Sequence, residues 1–354
     1  QSDRIEMVLN THKSPARVTG GVVTPRAVQF DLAPALGTKI NRVQSLTEEL
    51  ALALGVSSVR VSRQGSSIRL EIPRDNARQI NLLSLMAALA NSPSSCIPAA
   101  TAVLGLCDDG APLLLRLPSP DVAHVLIAGC TAAGKTALCQ TMILSLAMMH
   151  RRSQLQFVLI DPKRRAFTPF APLPHLLRPI IGDAAEAIAA LQGLVKVMEI
   201  RIAGSSLFAD PRIVVVLDEL ADLVHVGGDT LAKPLAQLAQ AGREAGIHII
   251  AATQKPAAQM MGALVRDNFP VRLVGKVMSP EDARGASGVL GTGAEKLNSR
   301  GDFVAVASGQ VVRFQAAYAS PAEIEHVVAQ FGSFPRRWDV MKMRPSLLHQ
   351  AAQI

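Results

Sequence analysis

Gly129-Cys130-Thr131-Ala132-Ala133-Gly134-Lys135-Thr136 is the stretch from which the rest of the chain is read. It fills every defined position of the phosphate-loop pattern G-x-x-x-x-G-K-[ST]. A glycine at each end lets the backbone curl until successive N–H groups point inward at nucleotide phosphates. Lys135 can then reach the β- and γ-phosphates, and the Thr136 hydroxyl can ligate Mg²⁺. Ala137 closes the binding segment. The flanks agree with this reading. His124-Val-Leu-Ile-Ala128 is an apolar run suited to a buried parallel strand. Residues 137–150 have helical spacing, with Leu138, Met142 and Leu146 on one face. Strand, loop and helix together predict an ATP- and Mg²⁺-binding unit inside an α/β fold.

Working outward, the 354 residues suggest two domains, or one large domain with an appendage. Apolar residues make up 49% but aromatic residues only 3%, so the core is expected to be aliphatic. No apolar run approaches the ~20 residues of a membrane-spanning helix. The N-terminus lacks a charged-then-apolar leader pattern. The segment is therefore expected to be soluble and cytoplasmic, without membrane contact, and Gln1 suggests a piece of a longer protein. Cys96, Cys107, Cys130 and Cys139 form no C-x-x-C pair and have no metal-ligand spacing with the histidines, which favours reduced thiols. The net charge of +8 suits a polyanionic partner without by itself deciding for nucleic acid.

In chain order, residues 1–20 show no periodicity and read as a flexible lead-in. Residues 22–32 read as a strand. Residues 45–54 read as a helix, with Ser45 as N-cap and Glu48 at the capping-box spacing. Residues 59–62 and 68–72 alternate around Gln64-Gly-Ser-Ser67 and predict a hairpin. An apolar helix follows at 82–90. These elements suggest a small α+β domain over 21–115. Strands and helices then alternate as a parallel sheet requires. Strands are expected at 157–160, 213–217, 247–252 and 271–274, helices at 184–202 and 231–245, and a closing hairpin around Gly309. This places an ATPase domain over 116–330 and a basic tail over 331–354.

Ligands in open α/β sheets sit at the carboxyl ends of the strands. Asp218-Glu219 ends an apolar strand about 80 residues after the phosphate loop, as a Walker B pair does. Asp218 would hold Mg²⁺ and Glu219 would take a proton from the attacking water. Gln254, in Thr253-Gln254 at the next strand end, is placed to sense the γ-phosphate. Arg243 precedes that strand. It reads either as a finger that reaches a neighbouring subunit's nucleotide or as a solvated helix arginine paired with Glu244 or Glu199. Arg284 is a second candidate for the finger.

These motifs, in their order, resemble the motor region of the FtsK/SpoIIIE family of double-stranded DNA translocases. The matching segments are the phosphate loop with its strand, Leu159-Ile-Asp-Pro-Lys163, Pro174-His-Leu-Leu177, Val216-Leu-Asp-Glu-Leu-Ala-Asp222, Ala241-Gly-Arg-Glu-Ala-Gly-Ile-His248, Ala252-Thr-Gln-Lys-Pro256, Arg300-Gly-Asp302 and Leu70-Glu-Ile-Pro73. The resemblance implies a RecA-like P-loop ATPase domain with a parallel-rich central sheet, preceded by a small α+β domain. It implies a hexameric ring that hydrolyses ATP and drives duplex DNA through its channel, as in chromosome partition. Lys135, Thr136, Asp218, Glu219 and Arg243 take the ATPase roles, and Lys255 and Arg266 lie on the segment the family aims at DNA. The full-length protein is then expected to be tethered to the inner membrane. Two departures stand out. Ala132-Ala133 replaces the usual Gly-Ser, and Val226-Gly-Gly-Asp229 lacks lysines common in the family. The other readings are a conjugative or secretion ATPase of the same superfamily and an ATP-binding scaffold without hydrolysis. Keeping Glu219 argues against the scaffold.

Overall fold

The computed structural model describes residues 1–23, 27–35, 37–56, 59–64, 67–73, 79–91, 97–204, 211–254 and 268–331. Two compact units result, one of Gln1–Gln79 with Asp108–Gly110 and one of Ile80–Cys107 with Ala111–Ile354.

The first unit holds α1 (Ser2–Thr11), β1 (Ala16–Val23), β2 (Ala27–Pro34), α2 (Ile40–Ser45), α3 (Thr47–Leu54), β3 (Arg60–Gln64) and β4 (Ser67–Pro73). Its sheet has the order β1-β2-β4-β3 and is antiparallel throughout. The expected hairpin of β3 and β4 is present. Three expectations are corrected here. Residues 1–20 are not a flexible lead-in, because α1 buries Ile5 and Leu9 and β1 follows directly. Residues 22–32 are not one strand but parts of the antiparallel pair β1 and β2. Ser45 is no N-cap. It ends α2, its Oγ donates to the Arg42 carbonyl, and Leu46 stands at the start of α3.

The second unit begins with α4 (Leu82–Ala90), β5 (Thr101–Cys107) and β6 (Pro112–Arg116). These strands belong to the large sheet, so the small domain stops near residue 79 rather than 115. β7 (Val125–Ala128), α5 (Lys135–Met149), β8 (Leu155–Ile160), α6 (Ala184–Ala203), β9 (Arg212–Leu217), α7 (Leu220–Ala241), β10 (Ile247–Thr253) and β11 (Val271–Gly275) follow. α8 (Pro280–Ser287), β12 (Asp302–Ala307), β13 (Gln310–Ala316) and α9 (Pro321–Gln330) complete it. The nine-stranded order is β6-β5-β13-β12-β11-β7-β10-β9-β8. From β11 to β8 the strands are parallel, and from β11 to β6 they are antiparallel.

The parallel strands are mostly apolar because both faces are covered. Phe157, Leu159, Val214 and Val216 pack with Leu138 and Met142 of α5 on one face. Val158, Ile160, Val215 and Leu217 pack with Leu191 of α6 and Leu235 of α7 on the other. Two of the helix starts are fixed as follows: Asp183 accepts from Glu186 N–H on α6, and Ser320 with Glu323 forms a capping box on α9. α7 starts eleven residues before the helix expected at 231–245 and bends at Gly228, whose φ of 51° and ψ of −144° are not helical. No helix among the described residues is long and apolar enough to cross a membrane.

Candidate active site

The site is assembled at the carboxyl ends of β7, β10, β9 and β8, where polar residues follow strands that are largely buried and apolar. β7 is followed by Gly129, whose φ of 152° leaves its α-hydrogen facing Ala133 and the Lys276 carbonyl. A Cβ there would stand 3.1 Å from Ala133 Cβ and 3.2 Å from Lys276 O. Gly134 has φ 105°, and a Cβ would stand only 2.9 Å from Gly301 N, so glycine is required by both backbone angle and space. The loop is held from behind: Cys130 N–H donates to Lys276 O (2.7 Å), Arg300 N–H to Ala132 O (3.2 Å) and Gly301 N–H to Ala133 O (2.9 Å). Arg300-Gly-Asp302 is thus a brace for the phosphate loop. Its sequence gave no hint of that role, because nearly 170 residues separate the two segments.

Lys135 is buried, and its Nζ donates to Gly129 O and Cys130 O, both at 2.9 Å. Burial lowers its ammonium below the usual lysine range, while Glu219, Cys130 and Asp218 pull it back up. A cation half stripped of water in a curled loop is a seat for an anion. Burial likewise pushes the Asp218 carboxyl up to about 6, helped by the negative charge of Asp161 and then of Glu219, with Lys135 and Lys163 opposing. Among the described residues no group of three or more His, Cys, Asp or Glu could hold a metal ion unaided. Phosphate oxygens with one or two carboxylates are the usual Mg²⁺ set, so Thr136 and Asp218 beside a phosphate loop fit that ion with its nucleotide.

Glu219 sits at the start of α7 in the left-handed region, φ 53° and ψ 63°, a rare conformation for a side-chain-bearing residue and one concentrated at functional sites. It is buried, and its Oε1 accepts from Gln254 N–H (3.0 Å) and Thr253 Oγ1 (3.4 Å). Thr131 Oγ1 donates to Gln254 Oε1 at 3.0 Å. Gln254 therefore links the phosphate loop to the catalytic carboxylate candidate, a connection that separate motifs do not reveal. Asp222, one turn along α7, pairs with Lys163 at 3.0 Å, both half exposed. Cys130 and Cys139 are free thiols, and burial raises the Cys139 thiol.

The structure brings Gly129 to Ala137, Asp218, Glu219 and Gln254 together. Arg243 is not with them. It is exposed at the amino end of β10, and the seven residues of that strand put it roughly 20 Å from the site of its own chain. Arg284 is exposed on α8. Lys255 and Arg266 lie outside the described residues, as do residues 332–354 of the basic tail.

The model of the FtsK/SpoIIIE family matches residues 104–210 and 202–258, and that of the FtsK alpha domain matches residues 1–74. The DNA translocase SftA of Bacillus subtilis is 31% identical over 94% of this chain and 37% of its own length. The DNA translocase FtsK of Helicobacter pylori J99 is 34% identical over 90% of this chain and 40% of its own. The chain thus spans well under half the length of these relatives. Among solved structures, the cytoplasmic domain of the Thermomonospora curvata type VII secretion ATPase EccC is 25% identical with TM-score 0.58 over 76% of this chain and 36% of that one. The pCW3 conjugation coupling protein TcpA with ATPγS has TM-score 0.59 and 18% identity over 92% and 99% of the two chains, a likeness of fold. The expected α/β P-loop ATPase fold after a small α+β unit is the one found.

Proposed function

The chain belongs to the FtsK/SpoIIIE family, and from that footing we propose that it is the ATP-hydrolysing motor of a double-stranded DNA translocase. The observation that carries the proposal is the hydrogen-bonded line from Thr131 through Gln254 to Glu219, beside a buried Lys135. It ties nucleotide contact, water activation and a strand end into one unit. In this reading the loop 129–137 cradles ATP, with Lys135 moving from the Gly129 and Cys130 carbonyls to the β- and γ-phosphates. Thr136 and Asp218 would hold Mg²⁺, which supplies positive charge to the phosphate oxygens as negative charge grows there. Glu219 takes the proton of a water as its oxygen bonds to the γ-phosphorus, and the bond from that phosphorus to the bridging oxygen breaks to release ADP. Gln254 reports the presence of the γ-phosphate to β10. Arg243, remote from its own site, serves the neighbour's in a hexameric ring. Lys255 and Arg266 are proposed phosphate contacts of duplex DNA.

Duplex-DNA stimulation of Mg²⁺-dependent ATP hydrolysis tests the reading. Turnover should rise severalfold with duplex DNA, fall steeply as salt displaces phosphate contacts, and vanish in Lys135→Ala. Hydrolysis indifferent to DNA at low salt would point instead to a protein-moving member of the same superfamily.

A further inference from the structure

We propose that Asp161 is an outer carboxylate of the metal site, its Oδ1 accepting a hydrogen bond from water bound to the Mg²⁺ that Thr136 and Asp218 hold. This rests on the nucleotide-binding reading above and adds to it a residue that neither the phosphate loop nor the Walker B pair contains.

Asp161 is fully buried at the end of β8. Its Oδ2 accepts from Ala166 N–H (2.7 Å) and Phe167 N–H (3.1 Å), which fixes the turn after the strand. Its Oδ1 is equally buried and has no hydrogen-bond partner among the described residues. Support of the turn accounts for one oxygen and leaves the other unexplained, in an environment where an unpaired carboxylate oxygen is costly.

Its place says what the free oxygen faces. Ile160 and Leu217 are partners in parallel register, and Asp218 N–H donates to Ile160 O at 2.9 Å. Asp161 and Asp218 are therefore neighbours across adjoining strand ends. Alternation puts both on the α5 side, since Leu159 and Val216 pack on that side and Ile160 and Leu217 on the other. Lys163, the nearby exposed cation, is engaged by Asp222. A fully buried carboxylate beside a partly buried one suits a further cation, and Mg²⁺ keeps several waters that such an outer oxygen can hold.

Asp161→Asn is the test. Its carbonyl oxygen can still accept the two backbone N–H bonds, while the other atom becomes a donor. Manganese binding followed by electron paramagnetic resonance, in the presence of ATPγS, reads the metal affinity directly. Nucleotide affinity in EDTA and the thermal midpoint read the fold and the loop. The metal dissociation constant should rise about 10–100-fold, with metal-free nucleotide affinity and midpoint unchanged. Unchanged metal affinity overturns the proposal, and so does a parallel loss of midpoint and metal-free binding, which would mark Asp161 as turn support alone. Failure of the wild type to bind metal and nucleotide would overturn the nucleotide reading itself. Should Asp161→Asn not fold, Asp161→Ser, whose hydroxyl can still accept one turn bond, is held to the same two criteria.

Discussion

Exchanging Glu219 for glutamine separates proton acceptance from everything else this side chain does. The buried Oε1 accepts from Gln254 N–H at 3.0 Å and from Thr253 Oγ1 at 3.4 Å. A glutamine carbonyl can keep both bonds but cannot take the proton of the attacking water. General-base catalysis is worth about 10²–10⁴ in rate, roughly 3–5 kcal/mol of barrier. Glu219→Gln should therefore lower kcat by that factor while ATP affinity and the urea midpoint stay near those of the wild type. Glu219→Ala removes the acceptor as well and frees Gln254, which is linked to Thr131 of the phosphate loop. Losing a partner for a buried donor costs about 1–3 kcal/mol. Because Gln254 is itself exposed, the lower end of that range is expected. The alanine variant should thus share the kcat loss and add about 1 kcal/mol of destabilisation with weaker nucleotide binding. Steady-state hydrolysis, fluorescent-nucleotide titration and urea unfolding of the three proteins make the comparison. Turnover of the glutamine variant within tenfold of wild type would refute the role of Glu219. Equal stability of the alanine variant and the wild type would refute its role as a tether for Gln254.

Three further outcomes follow from the same geometry. Gly134→Ala must accept φ 105° and a Cβ 2.9 Å from Gly301 N, so about 1–3 kcal/mol of strain should appear as a roughly tenfold or greater loss of nucleotide affinity; unchanged titration curves would contradict the brace at Arg300-Gly-Asp302. Arg243→Ala and Glu219→Gln proteins, each inactive alone, should regain hydrolysis when mixed into joint oligomers, because some interfaces then pair an intact arginine with an intact glutamate; no recovery in demonstrated mixed oligomers counts against a finger acting in trans. His124 and His248 are buried, with pKa values lowered to about 3 and about 4, so the unfolded chain takes up their protons first. Their stabilisation is complete above pH 6.5 and should be lost below it, at about 1.4 kcal/mol per pH unit for each histidine down to its folded value. Urea midpoints at pH 7 and pH 5 should show this slope, and His124→Gln should reduce it; an identical slope in the variant would assign acid lability elsewhere.

Short-range signals carried much of this fold into the sequence. Two glycines and a lysine at fixed spacing, between an apolar strand and a helix, are enough to signal the phosphate loop, because its curl needs glycine backbone angles, even though distant Lys276, Arg300 and Gly301 help to hold it. Asp218-Glu219 and Gln254 were legible for a related reason: buried parallel strands must be apolar, so a polar residue at a strand end stands out. What escaped the sequence depends on contacts between distant segments. Residues 1–20 look polar, yet Ile5 and Leu9 stand one helical turn apart and are buried only because a sheet lies beside them. β5 and β6 look like the tail of the small domain, but β5 pairs with β13, two hundred residues on, and so joins the large sheet. Strand order, the brace from Gly301 onto Ala133 and the hydrogen bonds that join Thr131, Gln254 and Glu219 arise only when the sheet closes. The sequence by itself nominated the candidate residues for the chemistry. Tertiary structure alone decided that they face one another, and it set Asp161 beside Asp218, because adjacency across a parallel sheet is written in strand pairing rather than in local pattern.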